Sequence, residues 1–429
     1  MASHPNILFV NFDSLSALDS APGDHSFDLP VLDRLIKESA GFSHAYTPCP
    51  ESSPARASLF TGLDPCVHGL WTNGVALPSD IRTFPELLYQ AGYSSWLFGR
   101  WQMAGVSNWT TEPIPGGIFS HAEWAHGPLH RSRQNAYLLW LQQKAVDHYD
   151  QIFTAQPNAD DTGILPEQRK AMAELPDDLS FNHWIGESVC QQLSTLPAGR
   201  PYLAVASMVV GASMGSAPTP ESDCERVCNR AMQQADKALG TVLNTLAQSG
   251  GTGNTIIIVT AARGTRNSLE KNTLCEQAIR VPLFIRHPAF GAQTIDSPVS
   301  TIDIAPTVLE VAGLEGRHSM QGTSLVDVLK GSGAPRGWAL SRLRATIDQH
   351  RQWKSAIRSD RLKLVVNHGN PDSGIDPDYQ LFDLDTDPDE KQNLADHAQH
   401  LADLEAMLDL MLDARCALEN RTEPRIAKF

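Results

Sequence analysis

The segment Tyr46-Thr-Pro-Cys-Pro-Glu-Ser-Ser-Pro-Ala-Arg-Ala-Ser-Leu-Phe-Thr-Gly62 decides how this chain is interpreted. Two serines, Ser52 and Ser53, precede Pro54, a residue that suits the first turn of a helix. We therefore expect a helix that begins near Pro54, with one of the serines as its N-terminal cap. In that interpretation Ser52 is chemically inert, because an ordinary serine hydroxyl needs a base or a metal before it attacks anything.

The start of the chain indicates the sheet against which this helix packs. Residues 7–12 form an apolar run that ends at Asp13, the pattern of a central parallel strand with a carboxylate at its tip. Helix-like and strand-like segments then alternate at 84–91, 94–98, 184–196, 201–207, 228–249 and 255–260. The alternation predicts an α/β fold, with a mixed and mostly parallel sheet covered by helices on both faces.

The 46–62 segment resembles the active-site signature of the type I sulfatases, C-x-P-x-R followed by a small residue and Leu-x-Thr-Gly. Ser52 stands at the nucleophile position, with Pro54 and Arg56 after it. In that family a cysteine, or in some bacterial members a serine, is oxidised to formylglycine. Blocks at 64–74, 271–283, 300–309, 320–325 and 379–394 are also similar to the family.

The resemblance implies a fold and a division of the chain. The length and C-terminal region are most similar to the branch of choline-sulfatases and phosphonate monoester hydrolases. We expect an alkaline-phosphatase-like three-layer sandwich with a large mixed β-sheet, over residues 1–335. A small C-terminal α+β domain, with an antiparallel sheet and a terminal helix, should follow over residues 336–429, after a Gly/Pro-rich boundary.

The resemblance also implies a metal site, and this sequence departs from it. Family members hold a divalent cation with two acids after the first strand and with an Asp followed by Asn or His. Here those positions are Asp13 and Ser14, then Ala262 and Arg263. Ser14 is a weak ligand, Ala262 is none, and Arg263 places a fixed cation where the metal would lie. Two unit charges about 4 Å apart repel by about 4 kcal/mol at an effective dielectric near 20, so we expect an Asp13–Arg263 ion pair instead.

Two histidines that handle protons in the family are also missing. The G-K-W-H motif becomes Gly99-Arg-Trp-Gln102, and the P-H-x-P turn corresponds to Gly211-Ala-Ser-Met214. A glutamine or serine cannot act as a general acid near neutral pH. We expect no cofactor; an active enzyme would need Ca²⁺ or Mn²⁺ and formylglycine at Ser52.

The remaining cations predict a pocket for an oxyanion, because guanidinium groups match tetrahedral oxyanions in a bidentate manner. The sequence assigns catalytic roles to Ser52, Arg56, Arg100 and Lys271. It assigns anion binding to Arg56, Arg100, Arg263, Lys271, Gln102 and His68, although a structural role for His68 is favoured. The opposite interpretation, in which Arg56 and Lys271 pair with Asp13 and Glu276 in an inert remnant, is equally open.

Composition limits the partners. The formal net charge of -15 argues against nucleic acid and anionic membranes. The seven cysteines, an odd number, fit reduced thiols, and residues 1–10 do not resemble a signal peptide, so we expect a cytoplasmic protein without a membrane span. The expected partner is a small anionic ligand. The resemblance adds a homo-oligomer or association with an active homologue.

Three functions stay open at this point. The favoured one is a sulfatase-family protein that has lost metal-dependent hydrolysis and retains a basic pocket for a sulfated or phosphorylated ligand. The second is an active sulfuric-ester or phosphonate-ester hydrolase that uses Ser52, possibly as formylglycine. The third is a metal-independent transferase or biosynthetic enzyme on the same fold.

Overall fold

The computed structural model describes residues 4–15, 28–106, 109–153, 166–197, 199–210, 221–264, 273–314, 320–347, 350–369 and 374–419. The helices are α1 (Pro30–Lys37), α2 (Ser52–Thr61), α3 (Pro65–His68), α4 (Phe84–Gln90), α5 (Ala136–Lys144), α6 (Val146–Phe153), α7 (Pro166–Glu174), α8 (Phe181–Thr195), α9 (Glu221–Gln248), α10 (Glu276–Ile279), α11 (Ile304–Val311), α12 (Val326–Leu329) and α13 (Leu401–Glu419). The strands are β1 (Asn6–Phe12), β2 (Ala40–Phe42), β3 (Ala45–Tyr46), β4 (Ser94–Gly99), β5 (His121–Trp124), β6 (Tyr202–Met208), β7 (Thr255–Ala261), β8 (Arg280–Val281), β9 (Leu283–Arg286), β10 (Gln293–Ile295), β11 (Val299–Ser300), β12 (Ala339–Ile347), β13 (His350–Arg358), β14 (Leu362–Asn367) and β15 (Asp378–Asp383).

An eight-stranded sheet forms the centre of the molecule, in the order β10-β2-β9-β7-β1-β6-β4-β5. Strand β9 runs antiparallel to both of its neighbours, and the other pairs are parallel. Strands β6 and β7 are buried at every residue, as expected where helices cover both faces of a parallel sheet. The predicted mixed, mostly parallel sheet is confirmed.

The C-terminal part of the chain forms a separate antiparallel sheet, in the order β12-β13-β14-β15. The sequence predicts two paired strands across Ser359 and Asp360, and β13 and β14 confirm this. Helix α13 buries Met407 and Met411 in an apolar cluster with residues of this sheet. The small α+β unit is therefore present, while the exact division between residues 335 and 336 stays a prediction.

Two local predictions were wrong. Helix α2 begins at Ser52, not near Pro54; its N-cap residue is Glu51, and no side chain caps it. The stretch from 109 to 179, which the sequence suggested to be irregular loops, contains β5 as an edge strand of the central sheet as well as α5, α6 and α7. Within the described ranges, no helix combines the length and apolar character needed to cross a bilayer.

A buried charge cluster joins the C-terminal sheet to α10. The amine of Lys363, on β14, is fully buried and lies 3.1 Å from Glu276 Oε1 and 2.7 Å from Glu390 Oε1. Tyr46 donates a hydrogen bond of 2.8 Å to the second oxygen of Glu276, and Arg358 donates to Tyr46. Burial acts to raise the pKa of Glu276, but the charges of Lys363 and Arg358 hold it below the usual value.

We expect Lys363→Met to lower the free energy of unfolding by about 3–5 kcal/mol, because it removes the buried cation that Glu276 and Glu390 share. Chemical denaturation measures the change. Lys391→Met is the matched control, since Lys391 is exposed and pairs only with its neighbour Asp389, and it should have no measurable effect. A loss below about 1 kcal/mol for Lys363→Met would contradict the cluster's proposed role.

Candidate functional site

Asp13 lies at the carboxyl end of β1, between the ends of β6 and β7. Its backbone N–H continues the ladder by donating to Met208 O, at 3.0 Å. Its carboxylate is buried; Oδ1 accepts from the Val210 N–H at 3.0 Å, and Oδ2 lies 3.6 Å from Arg100 Nη1. The sequence predicts an ion pair between Asp13 and Arg263, which stays a prediction; the ion pair that the structure gives Asp13 is with Arg100.

Arg56 is fully buried on α2, beside Arg100. Its Nη1 donates to the Arg100 carbonyl at 3.2 Å and to Ser207 Oγ at 3.1 Å. Ser207, on β6, also donates to the Arg100 carbonyl, at 2.9 Å. The remaining donors of Arg56, Nε and Nη2, are buried and contact no acceptor among the residues that the structure describes. Since buried donors are nearly always paired, these two call for an acceptor beyond the described residues.

Arg263 brings a further guanidinium to the same edge of the sheet, just after β7. Its Nε donates to Ser52 Oγ at 3.2 Å, and its carbonyl accepts from the Leu15 N–H at 2.9 Å. The next residue, Gly264, donates to Ala278 O at 3.0 Å; a Cβ on Gly264 would lie only 2.3 Å from the Gln277 carbonyl oxygen. Only glycine allows this close approach, which fixes where Arg263 leaves the strand.

The acids near the three guanidiniums do not fully offset the cost of burying their positive charges. Burial lowers the pKa of Arg56, of Arg100 and of Arg263, and in each case the charge of Asp13 only partly opposes it. Arginine keeps its charge under such conditions. Ser52 is also the first residue of α2, so the positive end of a ten-residue helix faces the same pocket. The arrangement therefore favours a bound anion.

The donor set does not fit a divalent cation. Asp13 already accepts from a backbone N–H and lies against Arg100, and Ala262 offers only a methyl group. The guanidinium of Arg263 places a positive charge next to Ser52, which disfavours a cation there. Within the described part of the chain, no three His, Cys, Asp or Glu side chains are grouped as metal ligands. A hard cation needs several oxygen ligands, so no step of a reaction is assigned to one here.

Glu112 fixes the backbone that carries Arg100 and Gln102. Its buried carboxylate accepts from three successive N–H groups, those of Gln102 at 2.8 Å, Met103 at 2.6 Å and Ala104 at 3.0 Å. Trp124 Nε1 donates to it at 2.9 Å. Gln102 has a φ of 61°, in the left-handed region that costs energy for a residue with a side chain. Glu112 stabilises this strained turn, and the buried Oε1 of Gln102 has no hydrogen-bond partner within the described ranges.

His68 does not reach the pocket. It is fully buried: Nε2 hydrogen-bonds Ser58 Oγ at 2.9 Å, and Nδ1 accepts from the Leu70 N–H at 3.1 Å. Burial lowers the pKa of His68 to about 3, so the ring is neutral. Both ring nitrogens are occupied within the protein, which agrees with the structural role rather than with anion binding.

Some of the predicted positions cannot be compared. Lys271 and the 211–214 turn lie outside the described residues. Ser14 is described and buried, next to Asp13. The structure thus brings together Asp13, Ser52, Arg56, Arg100 and Arg263 from the predicted set.

The sequence analysis missed Glu112, Ser207 and His126. Arg100 Nε donates to the His126 carbonyl at 2.5 Å, so His126 also lies beside the pocket. The only signal for Ser207 was its place near the end of a predicted central strand. Glu112 and His126 lie in the stretch that had been interpreted as loops, and nothing local marks them as neighbours of Arg100.

Comparison with known proteins gives matches at both ends of the chain. Residues 5–163 match the profile of the Sulfatase family, and residues 264–416 match the profile of the C-terminal region of N-sulphoglucosamine sulphohydrolase. Together the two matches cover well over half of the chain.

Individual relatives agree with these profiles. The uncharacterized sulfatase YidJ of Escherichia coli (strain K12) is 26% identical over 95% of this chain and 86% of its own length. The choline-sulfatase of Rhizobium meliloti (strain 1021) is 26% identical over 96% and 86%. The solved phosphonate monoester hydrolase of Silicibacter pomeroyi superposes with a TM-score of 0.74 at 21% identity, over 96% of this chain and 95% of that one. The expected alkaline-phosphatase-like fold is therefore confirmed.

We expect Glu112→Gln to lower the free energy of unfolding by about 1.5–3 kcal/mol, because an amide cannot accept from all four donors that surround the carboxylate. Thermal or chemical denaturation measures it. The control is Glu174→Gln, at an exposed glutamate near the end of α7, which should change the stability by less than about 0.5 kcal/mol. Equal stability of the two variants would show that the carboxylate does not hold the turn.

Proposed function

Because this chain belongs to the sulfatase family of the alkaline phosphatase superfamily, we propose that it binds a sulfated or phosphorylated ligand without the family's metal-dependent hydrolysis. The observation that carries the proposal is the contact between Arg263 Nε and Ser52 Oγ, at 3.2 Å. It puts a protein cation beside the nucleophile position, where the family resemblance would require a divalent ion. In this site arginine side chains, instead of a metal ion, supply the positive charge that faces the ligand oxygens.

The contacts of the pocket support an oxyanion as the ligand. Arg56 has two buried donors without acceptors in the described part of the chain, and Arg100 lies beside it. An oxyanion that accepts from these donors forms charge-assisted hydrogen bonds in a buried place, where such bonds are strong. It also offsets the repulsion that Arg100 exerts on Arg56 and that Arg263 exerts on Arg100, because burial of the three guanidiniums outweighs the charges of the surrounding acids, Asp13, Glu51 and Glu112.

One observation favours a second function, an active ester hydrolase. Ser52 Oγ lies within the basic pocket and accepts from Arg263, so the residue at position 52 faces the place where the ligand's oxyanion would bind. The hydroxyl lacks a base, since Gln102 replaces the family's histidine. Oxidation of Ser52 to formylglycine would change this, and the mass of the peptide that contains Ser52, two hydrogens lighter after oxidation, distinguishes the two states.

We expect inorganic sulfate and phosphate to bind the wild-type protein and to raise its melting temperature. Arg263→Gln should weaken sulfate binding about 10- to 100-fold, the effect of losing one charge-assisted interaction of about 1.5–3 kcal/mol. Isothermal titration calorimetry measures the affinity. The control is Arg286→Gln: Arg286 pairs with Ile257, near the opposite end of β7, so sulfate affinity should not change.

Hydrolysis assays separate the two functions. Any cleavage of sulfate or phosphonate esters should be weak and unaffected by EDTA, since the described acids do not form a metal site. Activity that EDTA abolishes and Ca²⁺ or Mn²⁺ restores, together with formylglycine at Ser52, would refute the proposal in favour of the hydrolase. Absence of sulfate and phosphate binding would refute the pocket itself.

A further inference from the structure

His126 lies against Arg100 at the edge of the basic pocket, in the turn that follows β5. Arg100 Nε donates to the His126 carbonyl at 2.5 Å. A Cβ on the next residue, Gly127, would lie 3.1 Å from Arg100 Nη2. The guanidinium of Arg100 therefore lies directly on the peptide between His126 and Gly127.

The turn is fixed before any ligand arrives. Asn135, at the N-cap of α5, donates from Nδ2 to the Gly127 carbonyl at 2.9 Å and to the His130 carbonyl at 2.7 Å. At its other end, the Ala125 N–H donates to Gly99 O at 3.0 Å, directly before Arg100. His126 is thus held by hydrogen bonds on both sides, and its distance from Arg100 is set by the fold.

The imidazole of His126 lacks part of its hydrogen bonding when no ligand is bound. Its Nδ1 is buried and has no hydrogen-bond partner among the described residues, while the residue as a whole is only partly buried. In the same described part of the chain, the charged groups that act on the ring are basic: Arg100 after β4, Arg56 on α2, and His130, whose ring centre lies 5.0 Å away. Burial is the main cause that holds the pKa of His126 well below its usual value, and these cations lower it further. The ring is therefore neutral when no anion is bound.

We propose that His126 takes up a proton from solvent when an oxyanion binds, and that the resulting imidazolium becomes a further cation on the ligand. This inference rests on the proposed anion pocket. A bound anion offsets the charges of Arg56 and Arg100 and supplies an acceptor, so the protonated ring is stabilised only in the complex. His126 then carries the exchangeable proton that neither Gln102 nor an arginine can carry at neutral pH.

Proton uptake makes the binding depend on pH. Since the bound state holds more protons than the free state, affinity rises as the pH falls, by at most about tenfold per pH unit for one proton. Inorganic sulfate is the suitable probe, because it is fully ionised between about pH 5.5 and 8 and so contributes no proton of its own to the pH dependence.

The experiment is isothermal titration calorimetry of the full chain with inorganic sulfate, in buffers of different ionisation enthalpy and at several pH values. For the wild type we expect net proton uptake and an affinity at least about fivefold higher at pH 6 than at pH 8. His126→Gln should still bind sulfate, without proton uptake and with a flat pH profile. His121→Gln is the control: His121 pairs with Glu123 on β5, and this variant should keep both properties.

Each outcome decides a different point. No sulfate binding by the wild type overturns the proposed pocket and this inference with it. Binding without proton uptake overturns only the role of His126. If proton uptake persists in His126→Gln and disappears in His130→Gln, the result also overturns the role of His126 and assigns the proton to the His130 ring. If His126→Gln fails to fold by circular dichroism, His126→Asn replaces it, and the wild-type buffer series still tests the uptake.

Discussion

The site is organised around one buried carboxylate, that of Asp13. Its position at the end of the central strand β1 brings it within the electrostatic reach of three arginines from three different elements. Removing a carboxylate from water is costly unless cations and hydrogen bonds replace the solvent. Asp13 obtains both, from Arg100 and from the Val210 N–H. In return its charge partly offsets the cost of burying the guanidiniums, so three arginines can be buried close together.

Much of this could be predicted from sequence, since the relevant positions follow strands of a parallel sheet. Asp13 and Arg100 come directly after buried strands and Arg263 comes two residues after one, and the ends of such parallel strands meet at one edge. Arg56 was found through the motif that contains Ser52. For these residues, local pattern and topology together determine the position, and no knowledge of side-chain contacts is needed.

Glu112 and His126 show where the prediction ends. Each acts through a contact with the segment after β4. Glu112 follows no strand of the sheet, and His126 follows β5, a strand that lies in the stretch interpreted as loops. The carboxylate of Glu112 is recognisable only once three consecutive N–H groups are seen to point at it. The start of α2 was misjudged for a related reason. Proline suits the first turn of a helix, but the helix begins two residues before Pro54, at Ser52. Its N-cap residue is Glu51, and no side chain accepts a capping hydrogen bond there.

The charge cluster around Lys363 links the support of the pocket to a part of the chain that carries none of the arginines around Asp13. Arg263 is anchored through Gly264 to Ala278 on α10, and α10 also carries the buried Glu276. The cations that compensate Glu276, Lys363 and Arg358, both belong to the C-terminal sheet. A chain cut before β13 keeps the arginines of the pocket and loses these two cations. The C-terminal sheet therefore supports the pocket indirectly, through the charge balance of α10.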